Sequence, residues 1–241
     1  MAAYRHRVST VTLPSSDGEI SALLATPAGE GPWPAVVIVH DITGMEGDLR
    51  KITERVAAQG YLALAPKLYS RTGGIRCVQR VIRDQLAGRG RSFDDLLVAR
   101  DYVRARPDCT GKVAVMGFCQ GGGFALLLAP QGFDASAPFY PALQYGLDEA
   151  LKGACPIVAS LGTRDVVGIG TEGWLRHAAE HNGFELDVKT YPGVGHSFAN
   201  EIPAQPLLKV VGFGYNEEAT EDAYDRVFRF FATHLGAEQT S

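Results

Sequence analysis

Several features that mark specialised protein classes are missing from this sequence of 241 residues. The first ten residues, MAAYRHRVST, lack the apolar core of a secretory signal, and the apolar runs AVVIV and FALLLA are far too short to span a bilayer. Lysine and arginine total 23 against 27 aspartate and glutamate, so no basic excess favours nucleic acid. We therefore expect a protein that binds neither nucleic acid nor membranes.

Cysteine is too scarce for a disulfide scaffold. The chain has four cysteines, and 46% of its residues are hydrophobic, which is enough for a sizeable core. We expect reduced thiols and a cytoplasmic location. No linker, repeat or low-complexity stretch divides the sequence, so residues 1–241 are predicted to form a single domain, present as a monomer or a homodimer.

Strand and helix patterns alternate along the chain. Two β-prone stretches within residues 4–27 flank PSSDG, a turn sequence that predicts a hairpin. Continuous apolar runs at 34–40, 61–66 and 112–118 are typical of strands buried on both faces of a parallel sheet. Helical periodicity follows them; for example, Leu49, Ile52 and Val56 fall on one helical face.

Residues 67–91 interrupt this alternation with many arginines and with the sequences RTGG and AGRG. We expect a loop with a short helix there, followed by a longer helix capped by Ser92. The whole pattern predicts an α/β fold with a mainly parallel sheet flanked by helices and an N-terminal β-hairpin. Ligands bind such sheets at the carboxyl ends of the strands, so polar or glycine-rich turns there are candidate sites.

The sequence MGFCQGGGFALLLA, residues 116–129, places a cysteine between an apolar strand and an apolar helix. Its GFCQG portion has the glycine-x-nucleophile-x-glycine form of a nucleophile elbow, with Cys119 as the nucleophile. The small residues of such an elbow let strand and helix approach closely. A helix N-terminus beside the sulfur favours the thiolate. The alternative is an inert thiol, since cysteine is often buried.

Two later turns supply partners for such a nucleophile. Asp165 ends SLGTRD just after one predicted strand, and His196 lies in GVGHSF after the last one. The order nucleophile, acid, histidine is that of the α/β-hydrolases. His196 would accept the thiol proton and return it to a leaving alkoxide, while Asp165 would hold the imidazole in the correct tautomer. Taken alone, Asp165 could be a turn residue and His196 a solvated loop side chain.

The loop HDITGMEG after the third predicted strand adds a fourth feature. In this architecture such a loop donates one backbone N–H to an oxyanion hole, here that of Ile42. The residue after the nucleophile, Gln120, donates the other. His40 also ends a strand, but it precedes the nucleophile in the chain, which departs from the α/β-hydrolase order.

The segments GFCQGGG, HDITG, LAPKLYSR, GTRD and GHSF together resemble the dienelactone hydrolase family, from about Pro34 to Ser197. The resemblance implies a Cys119–His196–Asp165 triad that opens lactone or carboxylic ester bonds through a thioester. This is carboxymethylenebutenolidase-like chemistry on a small-molecule substrate, without metal or organic cofactor. It also implies that the Asp41 carboxylate interacts with the resting thiol and helps to deprotonate it when substrate arrives. Otherwise Asp41 would only cap its turn.

The sequence departs from this family in its substrate contacts. Family members that act on dienelactone grip the substrate carboxylate with arginines, and one of those positions holds Asn200 here. Lys67 also stands where an acid is common. An arginine of the 71–91 segment could supply the missing charge, although runs of arginine usually form a solvated face. The candidate substrate-binding residues are Arg76, Arg80, Arg83, Tyr69 and Ser197.

Two other functions stay open. A class I amidotransferase-like enzyme also has an elbow cysteine, but it pairs that cysteine with a histidine and a glutamate two residues apart. The sequence HSF lacks the glutamate. A non-catalytic α/β-hydrolase scaffold used for binding is compatible with the missing arginine, while the intact set of Cys119, His196 and Asp165 argues against it.

Overall fold

The structure is a computed structural model that describes residues 5–16, 18–44, 46–70, 74–142, 146–201 and 213–236. Its strands are β1 (His6–Ser15), β2 (Gly18–Pro27), β3 (Trp33–Val39), β4 (Leu62–Pro66), β5 (Cys109–Phe118), β6 (Ala135–Phe139), β7 (Ile157–Gly162) and β8 (Leu186–Tyr191). Its helices are α1 (Glu46–Ala57), α2 (Gly74–Ala87), α3 (Arg91–Arg104), α4 (Gln120–Leu128), α5 (Leu147–Ala150), α6 (Thr171–Asn182) and α7 (Glu217–Leu235).

The strands form one sheet in the order β1-β2-β4-β3-β5-β6-β7-β8. β1 and β2 pair as the predicted antiparallel hairpin, and β2 is also antiparallel to β4. From β4 to β8 every neighbouring pair is parallel. The structure therefore confirms the predicted α/β fold with a mainly parallel sheet. Because β3 and β5 are adjacent, the loops that follow them meet at one edge of the sheet.

Apolar side chains cover both faces of the sheet. One cluster packs α1 and α7 against it and includes the predicted stripe Leu49, Ile52 and Val56. The opposite cluster joins α3 and α4 through Phe93 and Phe124, whose ring centroids lie 5.0 Å apart. These layers hold the strand ends in place. Among the helices of the described segments, none has the length and apolarity needed to cross a bilayer.

The prediction of a loop with a short helix at residues 67–91 was wrong about the length of the helix. A helix of 14 residues, α2, occupies most of that segment. Cys77 and Val81 are buried on its inner side, whereas Arg76 and Arg83 are exposed. The arginines therefore mark the solvated face of an amphipathic helix rather than a loop.

The predicted cap of the next helix was also wrong. α3 begins at Arg91 after Gly90, and no side chain at that position caps it. The carboxylate of Asp84 in α2 instead accepts hydrogen bonds from the backbone N–H of Ser92 at 3.0 Å and from its hydroxyl at 2.8 Å. A free N–H of the first helical turn is thus satisfied by a side chain from the preceding helix.

Candidate active site

The turn between β5 and α4 has the backbone geometry of a nucleophile elbow. Cys119 adopts φ 53° and ψ −113°, a strained conformation for a residue with a side chain. A Cβ atom on Gly117 would lie 2.0 Å from the carbonyl oxygen of Gly121, and one on Gly121 would lie 2.1 Å from that of Val39. Glycine is therefore required at both positions. The turn presents the Cys119 side chain at the carboxyl edge of the sheet, beside the N-terminus of α4.

Asp165 and His196 meet at the same edge. The Nδ1–H of His196 donates to Oδ2 of Asp165 at 2.8 Å, and both side chains are almost completely buried. The other carboxylate oxygen, Oδ1, accepts from the backbone N–H groups of Val167 and Gly168 at 2.9 and 3.1 Å. Asp165 is therefore both a turn residue and the partner of the histidine. Its carboxylate fixes the imidazole so that Nε2 is left for another group.

The thiol of Cys119 lies beside the imidazole of His196. Burial by itself lowers the pKa of His196, but the hydrogen bond to Asp165 and the interactions with Cys119 outweigh it and raise the pKa to about 9. Nε2 is buried and has no partner aligned for a hydrogen bond among the residues that the structure describes. The sulfur of Cys119 is therefore close enough to the ring to act on the pKa of His196.

Two aromatic rings hold the imidazole of His196 from its sides. The ring centroids of Tyr140 and Phe213 lie 5.1 and 5.2 Å from that of His196, both edge-on. Tyr140 has a positive φ of 34° and donates its hydroxyl hydrogen to Oδ1 of the buried Asn200. Sequence reasoning did not find Tyr140, because its position depends on an unusual backbone angle. Asn200, at the position of a family arginine, is engaged in this buried contact.

The two predicted oxyanion donors lie in different segments, one in the loop after β3 and one in the elbow. Ile42 follows the end of β3, and its backbone N–H has no backbone partner within the described segments. Gln120 is the first residue of α4, where a helix leaves backbone N–H groups unpaired. Because β3 and β5 are neighbours in the sheet, the segments that carry these two residues follow adjacent strand ends. The arrangement is suited to an oxyanion hole.

The carboxylate of Asp41 caps its own turn. Its Oδ1 accepts from the backbone N–H of Thr43 at 2.8 Å and from the Thr43 hydroxyl at 2.7 Å, which is a turn cap. Burial and the charge of Asp41 raise the pKa of Tyr69. Oδ2 of Asp41 makes no hydrogen bond within the described residues.

Tyr69, a candidate pocket residue, contacts the elbow. Its hydroxyl donates to Oε1 of Gln120 at 3.1 Å, and its ring packs against His40 with centroids 4.7 Å apart. His40 is buried, and its Nε2 accepts the backbone N–H of Leu68 at 3.1 Å. Sequence reasoning set His40 aside because of its place in the chain. The loop after β4 is therefore bonded both to the end of β3 and to the elbow.

The other candidate ligand-binding residues differ in position. Arg76 and Arg83 are exposed on α2, whereas Arg80 is half-buried and its Nη2 lies 3.5 Å from Sγ of Cys77. Ser197 is buried and has a positive φ of 60°. Across the described ranges no three His, Cys, Asp or Glu side chains are grouped so that they could hold a metal ion.

The family of the chain is shown by a match over most of its sequence, not only by the residues of the site. The model of the dienelactone hydrolase family matches residues 20–235. The chain belongs to the dienelactone hydrolase family. It is accordingly a dienelactone-hydrolase-like hydrolase, as the motifs around Cys119 and His196 predicted.

Relatives agree with that assignment, and two solved structures share the fold. A protein of Saccharolobus solfataricus named "Putative carboxymethylenebutenolidase" is 31% identical, over 89% of this chain and 95% of its own. A protein of the same name from Yersinia pestis is 29% identical, over 92% and 87%. A crystal structure of a "Putative Dienelactone Hydrolase" from Klebsiella pneumoniae superposes with a TM-score of 0.79 at 24% identity, covering 95% of this chain and 99% of that one. An esterase from Pyrobaculum calidifontis superposes with a TM-score of 0.71 at 18% identity, covering 98% and 87%, and likewise has the same fold.

Proposed function

We propose that this hydrolase opens lactone or carboxylic ester bonds through a thioester on Cys119. One observation carries the proposal. The thiol stands on a strained elbow beside His196, and the other ring nitrogen of His196 is hydrogen-bonded to Asp165. The nucleophile therefore lies next to the base, and the base lies next to the acid that orients it. Nucleophilic acyl transfer requires this arrangement. The relatives named carboxymethylenebutenolidase support a lactone as the substrate class.

The reaction proceeds in two acyl-transfer steps. In the first, the Cys119 sulfur attacks the substrate carbonyl carbon while His196 holds the thiol proton, which it then gives to the departing alkoxide oxygen. The C–O bond breaks and a thioester remains. In the second, His196 takes a proton from water, the hydroxide oxygen attacks the thioester carbon, and the C–S bond breaks. The sulfur leaves with its electron pair and recovers a proton from His196, while Asp165 stabilises the imidazolium in both steps.

Backbone N–H groups stabilise the negative charge that develops on the substrate carbonyl oxygen. Ile42 and Gln120 supply them, one from the loop after β3 and one from the start of α4. The positive end of the α4 dipole adds to their effect. Asp41, which caps its own turn through Oδ1, keeps Oδ2 for the resting thiol and helps to deprotonate it.

A trapping experiment tests the thioester. We expect an acyl adduct on the peptide that contains Cys119 when the protein is mixed with an activated aryl ester and quenched in acid, as measured by mass spectrometry. Neutral hydroxylamine should remove the adduct, because it cleaves thioesters much faster than oxygen esters. The protein with Cys119→Ala should give no adduct. An adduct on another residue, or one that resists hydroxylamine, would contradict the proposal.

We propose Arg80 as the residue that binds an acidic substrate, because it is the half-buried member of the three candidate arginines. Its Nη2 lies 3.5 Å from Sγ of Cys77 on the inner side of α2. Nε of Arg80 is buried and makes no hydrogen bond to any described residue. By contrast, the side chain of Arg83 is 77% exposed.

We expect Arg80→Gln to raise KM for a carboxylate-bearing lactone by about 10- to 100-fold, the effect of losing a charge-assisted hydrogen bond. KM for a neutral aryl ester should stay unchanged. Steady-state kinetics on both substrates measures this, and Arg83→Gln on the same helix is the matched control, expected to alter neither value. Equal losses on the two substrates would show that Arg80 acts only on structure.

A further inference from the structure

His40 is a buried histidine that the proposed mechanism does not use. It follows the last residue of β3 and stands directly before Asp41 and Ile42. Nδ1 of its ring lies 2.7 Å from the carbonyl oxygen of Asp41, and Nε2 lies 3.1 Å from the backbone nitrogen of Leu68. Both ring nitrogens are therefore engaged with backbone groups, which leaves none to act on a substrate.

These two partners fix the protonation state of the His40 ring. The backbone N–H of Leu68 can only donate, so Nε2 must be the acceptor and carry no hydrogen. The carbonyl of Asp41 can only accept, so Nδ1 must carry the hydrogen. The neutral Nδ1–H tautomer satisfies both bonds at once. A second proton, on Nε2, would point at the hydrogen of the Leu68 N–H, and the charged ring is therefore disfavoured. Burial disfavours it as well and lowers the pKa of His40.

The carbonyl that His40 holds belongs to the same peptide unit as the proposed oxyanion donor. The C=O of Asp41 and the N–H of Ile42 share one planar peptide, in which the two bonds point in opposite directions. Fixing the carbonyl at 2.7 Å from Nδ1 therefore fixes the direction of the Ile42 N–H. The same carbonyl also accepts the backbone N–H of Gly44 at 3.2 Å, so the peptide plane is held by two donors.

We propose that His40 is a positioning residue that orients the oxyanion donor of Ile42 through the Asp41–Ile42 peptide. This inference rests on the proposed function and deepens it. The loop after β4 is the anchor, because Leu68 fixes Nε2 of His40 and so prevents the ring from turning. A hydrogen bond on the carbonyl also polarises the peptide and strengthens the N–H as a donor.

The loop after β4 supports the second donor as well. Tyr69 packs on the His40 ring, and its hydroxyl donates to the side chain of Gln120 at 3.1 Å. Adjacent residues of one loop, Leu68 and Tyr69, thus contact the segments that carry both proposed donors. The segments of both proposed donors are thus held by hydrogen bonds from the loop after β4, which contributes no proposed catalytic group.

Three substitutions at His40 separate orientation from simple filling of space. His40→Asn keeps an N–H at the Nδ1 position, where it can still reach the Asp41 carbonyl. His40→Gln is closer to histidine in volume but places its amide at the Nε2 position, next to Leu68. His40→Leu removes both bonds. We expect kcat for an activated ester to fall about 10- to 100-fold in the Leu and Gln proteins, and less in the Asn protein, since loss of a whole oxyanion donor costs about 10²- to 10³-fold.

Two further measurements distinguish this role from a loss of fold or of the nucleophile. KM and the rate at which iodoacetamide alkylates Cys119 should stay within about twofold of wild type, because alkylation needs no oxyanion hole. Val36→Ala, which removes buried methyl groups from the same strand, should lower the melting temperature and leave kcat unchanged.

The outcomes separate the two proposals. Loss of turnover in Cys119→Ala together with an unchanged kcat in His40→Leu overturns the role of His40 alone. A Gln protein as active as the Asn protein also overturns it, since volume would then matter more than the Nδ1 bond. Full turnover in Cys119→Ala overturns the proposed function itself.

Discussion

The protein with Cys119→Ala is expected to lose activity on an activated aryl ester by about 10⁴-fold or more in kcat/KM, the loss found when a triad nucleophile is removed. The physical reason is that the proposed reaction has no path without the sulfur that attacks the carbonyl carbon. His196 and the oxyanion donors remain, and they can assist only a slow direct attack by water. Steady-state kinetics with purified protein measures the effect.

The other cysteines provide the control for this experiment. Burial raises the pKa of Cys155 to about 12, so its thiol is a poor nucleophile at neutral pH. Cys155→Ala should therefore keep wild-type turnover, and Cys119 should be alkylated faster than any other cysteine of the chain. Wild-type activity in the Cys119→Ala protein would place the nucleophile elsewhere, whereas a folded wild-type protein that turns over no ester or lactone would favour the binding scaffold.

Replacing Gly121 with alanine should disrupt the elbow itself. The new Cβ atom would lie 2.1 Å from the carbonyl oxygen of Val39 and 2.6 Å from that of His40. Both obstacles are backbone atoms of the neighbouring strand end, so a side-chain rotation cannot relieve the clash. We expect the free energy of unfolding to fall by about 3 kcal/mol or more, at the upper end of overpacking effects, and activity to be lost with it. Chemical denaturation followed by circular dichroism measures the change.

Gly173 offers a matched control for the same substitution. It lies in α6, is exposed, and has no atom within 4 Å of the position that a Cβ would take. Gly173→Ala should raise the free energy of unfolding by about 0.5–1 kcal/mol, because alanine favours helix over glycine. A Gly121→Ala protein as stable and active as wild type would contradict the close strand–helix contact at the elbow.

Local patterns in the sequence predicted the elements that carry the site. Apolar runs gave the buried strands, the GFCQG turn gave the elbow, and the turns ending in Asp165 and His196 gave its two partners. The conformation of each of these elements depends mainly on residues that are close together in the chain. The same approach misjudged α2, where the glycines of RTGG and AGRG obscured an amphipathic helix whose buried side includes Cys77 and Val81.

Contacts between distant segments could not be predicted in this way. The cap of α3 comes from Asp84 on another helix, not from Ser92, because helix packing brings that carboxylate to the free N–H. Nothing in the sequence indicates that the side-chain oxygen of Asn200 accepts a hydrogen bond from the hydroxyl of Tyr140. Among the candidate arginines, only packing separates the half-buried Arg80 from its exposed neighbours.

The sequence by itself determined the fold class, the family and the residues proposed to perform the chemistry, because short stretches of sequence determine the strands, the turns and the elbow. Tertiary structure decided how the oxyanion segments are held. Leu68 lies 28 positions from His40, and Tyr69 lies 51 positions from Gln120, yet each pair is hydrogen-bonded. They meet because β3 lies between β4 and β5 in the sheet. A hydrogen bond depends on distance in space, which strand order sets and local sequence does not.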